Sequence, residues 1–337
     1  MNSEYKDIVI KIQLLLIFLL FVTLSKLFGD YTWLSDRIVE VYSSKKNAIV
    51  FVSGSHYENE GDPWLQSSTG FFIDKEGHVL TSLETIAKAK RIYIKVNVDT
   101  DSKQYYADLV GYHKLTKIAL LKVTEPPENL SYIDVLDTNN SLRIGSSLIT
   151  ISHKETLPLA PRWSIFTGSS RYLQFIKNQE ITVAPFDILR TGLNSFGGES
   201  GAPVFDIDGA FIGFNFHYEE AIRQNFILPQ KLIVRVVEDL KVLGRVQIAW
   251  IGVIISGSKM PIRIKEIVPG SPSDCAGLKK GDIILELGGK KLNNLLEMGR
   301  IMLYTQVGTV LPVTVERNGK RAFFELKTVV DEQPIVP

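Results

Sequence analysis

The apolar positions change character along the chain. Residues 8–28 form a near-continuous run, IVIKIQLLLIFLLFVTLSKLF, whose strongly polar interruptions are Lys11, Gln13 and Lys26. About 20 apolar residues span a bilayer core, and lysines near the ends of such a run can snorkel to the interface. A transmembrane helix is expected there. Beyond it, short β-branched or aromatic runs take over at 49–52, 70–73, 92–96, 119–123 and 147–151, separated by Gly, Asn, Asp and Pro turns. Many short strands at this spacing predict a barrel or sandwich rather than a parallel α/β sheet. Helical periodicity then appears in QKLIVRVVEDLKVL, with Leu232, Val236, Leu240 and Leu243 along one face. This helix is expected to close the first folded region. A second unit follows over 248–330, with strands at 262–267, 282–287 and 310–316 and a helix near 293–303.

The flanks of the first run set its orientation. Its uninterrupted part, 14–24, also has the length of a signal-peptide core, but Ser25-Lys26-Leu27-Phe28 offers no small-x-small cleavage site. An uncleaved signal anchor is the favoured reading and a cleaved signal the alternative. Lys6 and Lys11 precede its uninterrupted part, while Asp30 and Asp36 follow the run. The positive-inside rule puts the N-terminus in the cytoplasm and the bulk on the extracytoplasmic, periplasmic-type side.

Composition narrows the classes further. With 337 residues, about two domains of roughly 150 residues are expected. Lys and Arg number 38 against 37 Asp and Glu, a net charge of +1 that argues against a nucleic-acid partner. The single cysteine, Cys275, excludes an intrachain disulfide framework and a cysteine-rich zinc site; it is read as a small core residue. None of the five histidines pairs in the His-Glu-x-x-His spacing, so no metal or cofactor is indicated.

Chemistry concentrates in Gly197-Gly198-Glu199-Ser200-Gly201-Ala202-Pro203-Val204-Phe205. A serine between glycines, leading into a strand, suits a nucleophile whose neighbouring amides, at Gly198 and Ser200, form an oxyanion position. A plain serine turn fits the same letters. Three further stretches give context. Ser68-Thr69-Gly70-Phe71-Phe72-Ile73 runs on through Gly77-His78-Val79-Leu80-Thr81. Gly111-Tyr112-His113 leads into Lys117-Ile118-Ala119-Leu120-Leu121. Trp250-Ile251-Gly252-Val253 precedes Pro269-Gly270-Ser271-Pro272 and Ala276-Gly277-Leu278-Lys279-Lys280-Gly281-Asp282. In this order they resemble the HtrA/Deg family of trypsin-like serine proteases, membrane-anchored and with a single C-terminal PDZ domain.

The resemblance implies a mainly β protein: a trypsin-like double β-barrel, then an α+β PDZ domain, preceded by one N-terminal transmembrane helix. It divides the chain into an anchor over 1–32, a linker over 33–46, a protease-like domain over 47–245, a PDZ domain over 246–330 and a tail over 331–337. It also exposes departures. Glu84 stands at the family's catalytic His position and Lys117 at its Asp position, so only Ser200 of the triad remains; Glu199 replaces the usual Asn and Ala202 a Gly.

A serine hydroxyl is a weak nucleophile without an adjacent base, and an ordinary carboxylate is far more acidic than imidazole. Glu84 and Lys117 are expected instead to form an ion pair that balances buried charge. His56, His78, His113, His153 and His217 are read as surface or turn residues. The PDZ part retains what binding needs. The amides of Ile251, Gly252 and Val253 would cradle a carboxylate, Ile254 and Ile255 offer an edge strand, and Leu295, Leu296 and Gly299 wall the groove. The leading expectation is a pseudoprotease that binds C-terminal peptides or unfolded polypeptides in envelope protein quality control or signalling. The alternatives are an active serine endopeptidase using Ser200 with Glu84 as base, and a non-catalytic subunit of a trimer shared with an active relative.

Overall fold

A computed structural model of the protein describes residues 3–55, 66–96, 103–136, 142–153, 158–170, 173–177, 180–192, 198–219, 224–256 and 260–330, with the backbone alone at 3–11, 21–31, 173–177 and 180–184. The first helix, α1, runs unbroken over Ser3–Lys45. Where a linker is expected at 33–46, the helix continues and packs on the barrels. Val41 is buried, Tyr42 donates its hydroxyl to the Leu159 carbonyl, and Arg37 pairs with Asp208. Among the described residues no helix is long and apolar enough to cross a membrane. The expected anchor at 8–28 lies largely outside the described side chains; those from Ile12 to Leu20 are exposed.

Six strands close the first barrel: β1 (Ile49–Ser55), β2 (Gln66–Phe72), β3 (His78–Ser82), β4 (Arg91–Val96), β5 (Lys103–His113) and β6 (Ile118–Val123), in the order β1-β2-β3-β6-β5-β4. The short helix α2 (Leu83–Ile86) follows β3 directly. Successive side chains on a strand point to opposite faces. Here both faces are apolar for a reason: Val50, Val52, Phe72, Val79 and Ile94 fill the barrel, whereas Ile49, Phe71, Leu80 and Leu120 join a larger cluster shared with the second barrel. That double burial explains the continuous apolar runs in the sequence.

The second barrel is built from β7 (Ser147–Ser152), β8 (Ala160–Ser170), β11 (Ile188–Thr191), β12 (Pro203–Asp206), β13 (Phe211–Glu219) and β14 (Gln224–Pro229). It closes in the order β11-β14-β13-β12-β7-β8, with a hairpin of β9 (Leu173–Lys177) and β10 (Glu180–Ala184) between β8 and β11. Helix α3 (Gln230–Leu243) covers both barrels through Leu232, Val236 and Leu240. It stops at Gly244, whose left-handed backbone lets its N–H reach the Leu240 carbonyl. Leu243, expected on the apolar face, is instead exposed at the helix end.

The last unit has its own core. Its main sheet runs β16 (Val253–Ser256), β17 (Arg263–Ile267), β18 (Ile283–Leu287), β20 (Val310–Arg317) and β21 (Lys320–Lys327). The short β19 (Lys290–Lys291) pairs with β18, and β15 (Ala249–Trp250) pairs with β22 (Val329–Val330). A short α4 (Pro272–Cys275) precedes β18, and Cys275 is exposed there rather than in the core. Helix α5 (Leu295–Tyr304) opens on a reciprocal cap: Asn294 accepts from the Glu297 N–H and the Glu297 carboxylate accepts from the Asn293 N–H. One side of α5 buries Met298, Ile301 and Met302 in this unit; Leu303 joins the core of the barrels.

Candidate active site

The turn carrying Ser200 is seated on the first barrel. Gly201 has φ of +87°, and a Cβ there would collide with the Thr69 carbonyl, so only glycine fits. Thr69 clamps the turn twice: its N–H donates to the Ser200 carbonyl at 3.2 Å and its hydroxyl to the Gly198 carbonyl at 2.8 Å. From the second barrel, the Asn215 carboxamide donates to the Glu199 carbonyl at 3.0 Å, and the Gly201 N–H donates to the Asn215 carbonyl at 2.9 Å. Gly198 and Ser200, the expected oxyanion pair, therefore lie on one fixed turn. Gly197 lies outside the described residues.

Glu199 turns inward. Its side chain is 1% exposed and pairs with the guanidinium of Arg162 on β8. A buried carboxylate needs such a partner, because an isolated charge in the interior costs several kcal/mol. Sequence reasoning missed Arg162. Its signal was only a charged residue within a strand.

Lys117 and Glu84 meet as expected, with Lys117 Nζ donating to Glu84 Oε1 at 2.6 Å. The environment differs from the expectation, however: the side chains are 30% and 58% exposed, so this is a surface pair and not a buried one. Lys117 has φ of +53°, and its carbonyl accepts from the Leu83 N–H at 2.8 Å, tying the turn before β6 to the start of α2. Its ammonium also sits 5.6 Å from the Phe216 ring centroid. Ser200 Oγ is buried and has no hydrogen-bond partner among the described residues. Neither Glu84 nor any described histidine reaches it.

The histidines divide into three situations. His113 and His153 are buried rather than at the surface: His113 bonds Thr116, and His153 meets the Phe51 ring edge-on. Burial, with the nearby Arg235 charge, lowers the His113 pKa to about 4. His78 sits on its turn with Asp74, at 2.8 Å. His217 is half-buried on β13, stacked on Phe226. Burial and the charge of Lys117 lower its pKa, against the opposing pull of Glu219 and Glu84. It is thus the imidazole that shares the Glu84–Lys117 field. His56 lies outside the described residues. Asp74, Glu76 and His78 also bring ligand atoms within 4.8 Å of one another, a grouping that no sequence motif announces; Lys241 already holds the Asp74 carboxylate.

In the last unit, Ile251 is buried, and Gly252 has φ of +81° with Ser271 packed where a Cβ would stand. Val253 and Ile255 lie on β16, which has β17 on one side and no strand partner on the other among the described residues. Leu295 packs on the core from α5. Gly299 departs from the expected groove wall: a Cβ there would lie 3.4 Å from Pro185 of the second barrel. Next to it, Arg300 grips Asp187 through two hydrogen bonds of 2.8 and 2.7 Å.

Two six-stranded barrels with a serine turn between them, followed by a six-stranded sheet flanked by helices, define a trypsin-like peptidase fold joined to a PDZ domain. The family models agree, matching a trypsin-like peptidase domain at 68–214 and a PDZ domain at 249–328. The chain belongs to the HtrA/Deg family. It is 29% identical over 268 residues to a protein of Marinomonas sp. (strain MWYL1) described as "Probable periplasmic serine endoprotease DegP-like", covering 75% of this chain. This chain spans only 54% of that relative's length. Among solved structures, a serine endoprotease from Yersinia pestis matches with a TM-score of 0.65 at 24% identity, over 87% of this chain and 97% of the other. The HtrA-type protease AlgW with tripeptide matches with a TM-score of 0.69 at 21% identity, over 88% and 98%.

Proposed function

We propose that this chain is a non-cleaving HtrA/Deg homologue that binds polypeptides on the extracytoplasmic side of a membrane. One observation carries the reading: Ser200 Oγ lacks a hydrogen-bond partner among the described residues, while the residue at the base position, Glu84, is engaged by Lys117. Without a base the hydroxyl keeps its proton and attacks poorly. Lys117 also works against the rival in which Glu84 is the base, because its ammonium already occupies the Glu84 carboxylate.

Binding is assigned to the PDZ domain. An extended peptide adds to the open edge of β16, and its terminal carboxylate meets the amides at 251–253. The AlgW structures with bound peptides support this by likeness of fold. The apolar run at 8–28 is assigned as the membrane anchor, and the periplasmic description of the Marinomonas relative supports the side. A trimer, alone or with an active relative, is the accompanying assembly.

The test is incubation of the purified full chain with an unfolded substrate such as reduced casein, from pH 4 to pH 8. No cleavage above the Ser200→Ala background is expected. Ser200-dependent cleavage overturns the reading, and cleavage confined to low pH and lost in Glu84→Gln establishes the carboxylate-base alternative.

A further inference from the structure

The PDZ sheet has two edges, and they differ. The edge at β16 is the one assigned above to peptide. At the far side, β21 pairs with β20 along its whole length without a bulge and has no strand beyond it among the described residues. An edge strand this long and regular displays a row of unpaired N–H and C=O groups, a template for another strand.

The phase of the hairpin says which residues offer those groups. Asn318 and Gly319, both with positive φ, make a two-residue turn closed by the Arg317–Lys320 pair. Hydrogen-bonded and non-hydrogen-bonded pairs alternate away from such a turn. The Thr328 N–H donates to the Thr309 carbonyl, in the same series as the closing pair. Lys320, Ala322, Phe324 and Leu326 therefore bond β20, and Arg321, Phe323 and Glu325 turn their backbone groups outward. The side chains of these three share one face, opposite Ala322, Phe324 and Leu326, which pack on the PDZ core. Phe323 is 75% exposed, and Arg321 and Glu325 are exposed on either side of it.

A second β21 answers all of this in one register. Outward-bonding residues must meet outward-bonding residues, so odd positions pair with odd. With Phe323 opposite its own copy, Arg321 stands opposite Glu325 of the second copy, Glu325 opposite Arg321, and the two phenyl rings meet on one face. Centring the pair on Phe324 instead sets Arg321 against Lys327. Centring it on Ala322 sets Arg321 against Phe323 and leaves Glu325 facing the turn. Charges usually protect an edge from pairing; here their order is self-complementary.

We propose that β21 pairs antiparallel with β21 of a second copy of this chain, about Phe323, joining two PDZ sheets into one. The contact leaves both β16 edges open, so two peptide grooves are carried on one sheet, and a polypeptide with two matching segments is held at both. It goes beyond the reading of Ser200 and stands whether or not the chain cleaves.

The register supplies the test. In the full chain, in detergent and with Cys275→Ser, Phe323→Cys faces its own copy across a hydrogen-bonded pair, where Cα atoms lie about 5.5 Å apart and within disulfide reach. Mild oxidation is expected to give a covalent dimer. Arg321→Cys alone and Glu325→Cys alone are expected to stay single, and a mixture of the two to cross-link. Sedimentation in density-matched detergent reads the strength. Arg321→Glu sets like charges opposite each other twice and is expected to weaken association about tenfold, with Glu325→Arg in the same chain restoring it to within about threefold. The Tm should stay that of the natural chain, which separates lost pairing from lost folding. Cross-linking of all three single-cysteine chains alike, or of none, overturns the proposal. So does equal association of the natural chain and Arg321→Glu, or a weakening that Glu325→Arg leaves unreversed. Casein cleavage would bear on the reading of Ser200 alone.

Discussion

Two ion pairs flank Ser200, and they are opposites. Glu84–Lys117, on the first barrel, faces solvent. Glu199–Arg162, inside the second barrel, stands next in sequence to Ser200, with the carboxylate sealed from water. Both have short charge contacts and both join distant parts of the chain. Water makes the difference: solvent screens the first pair, whereas the second holds a charge that would otherwise be stranded. The Glu84–Lys117 pair is therefore energetically cheap, and the Ser200 turn is held independently of it.

The strongest way to break this comparison is Arg162→Met, which leaves the Glu199 carboxylate buried without its cation. A loss of about 3–5 kcal/mol is expected. Chemical denaturation should show a lowered midpoint with little change in slope. The double variant Arg162→Met with Glu199→Gln should recover most of that loss, because the stranded charge is gone. A loss below about 1 kcal/mol in Arg162→Met would mean that the two pairs are energetically alike.

Much of this arrangement was legible in the sequence, and the remainder failed for one physical reason. Strand runs, the period of α3, the glycine turns and the Glu84–Lys117 contact all follow from local pattern or from two aligned motifs. Whether a charge is buried does not. The Glu84–Lys117 pair was expected inside and lies outside; His113 and His153 were expected outside and lie inside. Arg162 is separated from Glu199 by 37 positions, and the pairing arises only when β8 curls into the barrel beside the serine turn. The buried amide of Asn225, without a hydrogen-bond partner among the described residues, is equally invisible, since its letter in a strand suggests only a polar face. Residues 33–46 read as a linker because their short amphipathic stretch does not reveal that α1 continues through it.

His113 sharpens the comparison at intermediate scale, as a buried group that avoids charge instead of pairing it. Its pKa falls from the ordinary 6.5 to about 4 in the folded chain. Between those values the unfolded state binds more protons, so stability falls as pH drops. The contribution is intact above about pH 6.5 and is lost progressively down to about pH 4, a change on the order of 3 kcal/mol at most. Asp74, whose pKa is lowered from 3.8, acts in the same direction but at lower pH, where its hydrogen-bonded carboxylate becomes protonated. His113→Gln should therefore flatten the stability profile between pH 4 and pH 6.5 specifically. An unchanged profile in this variant would place the acid sensitivity elsewhere.

The smallest effect is expected at the exposed pair. Glu84→Ala should cost less than about 1 kcal/mol, and a double-mutant cycle with Lys117→Ala should give a coupling of about 0.2–1 kcal/mol. Raising the salt to about 1 M, where the screening length falls to about 3 Å, should erase most of that coupling while leaving the Arg162–Glu199 coupling in place. Lys117→Gly separates charge from backbone, because glycine relieves the left-handed conformation by about 1 kcal/mol while removing the same ammonium. It should thus be at least as stable as Lys117→Ala. A coupling above about 2 kcal/mol, or one that survives high salt, would show that Glu84 and Lys117 are shielded from water in solution. The exposed pair would then bear on the fold as heavily as the buried one, and the contrast between the two sides of Ser200 would collapse.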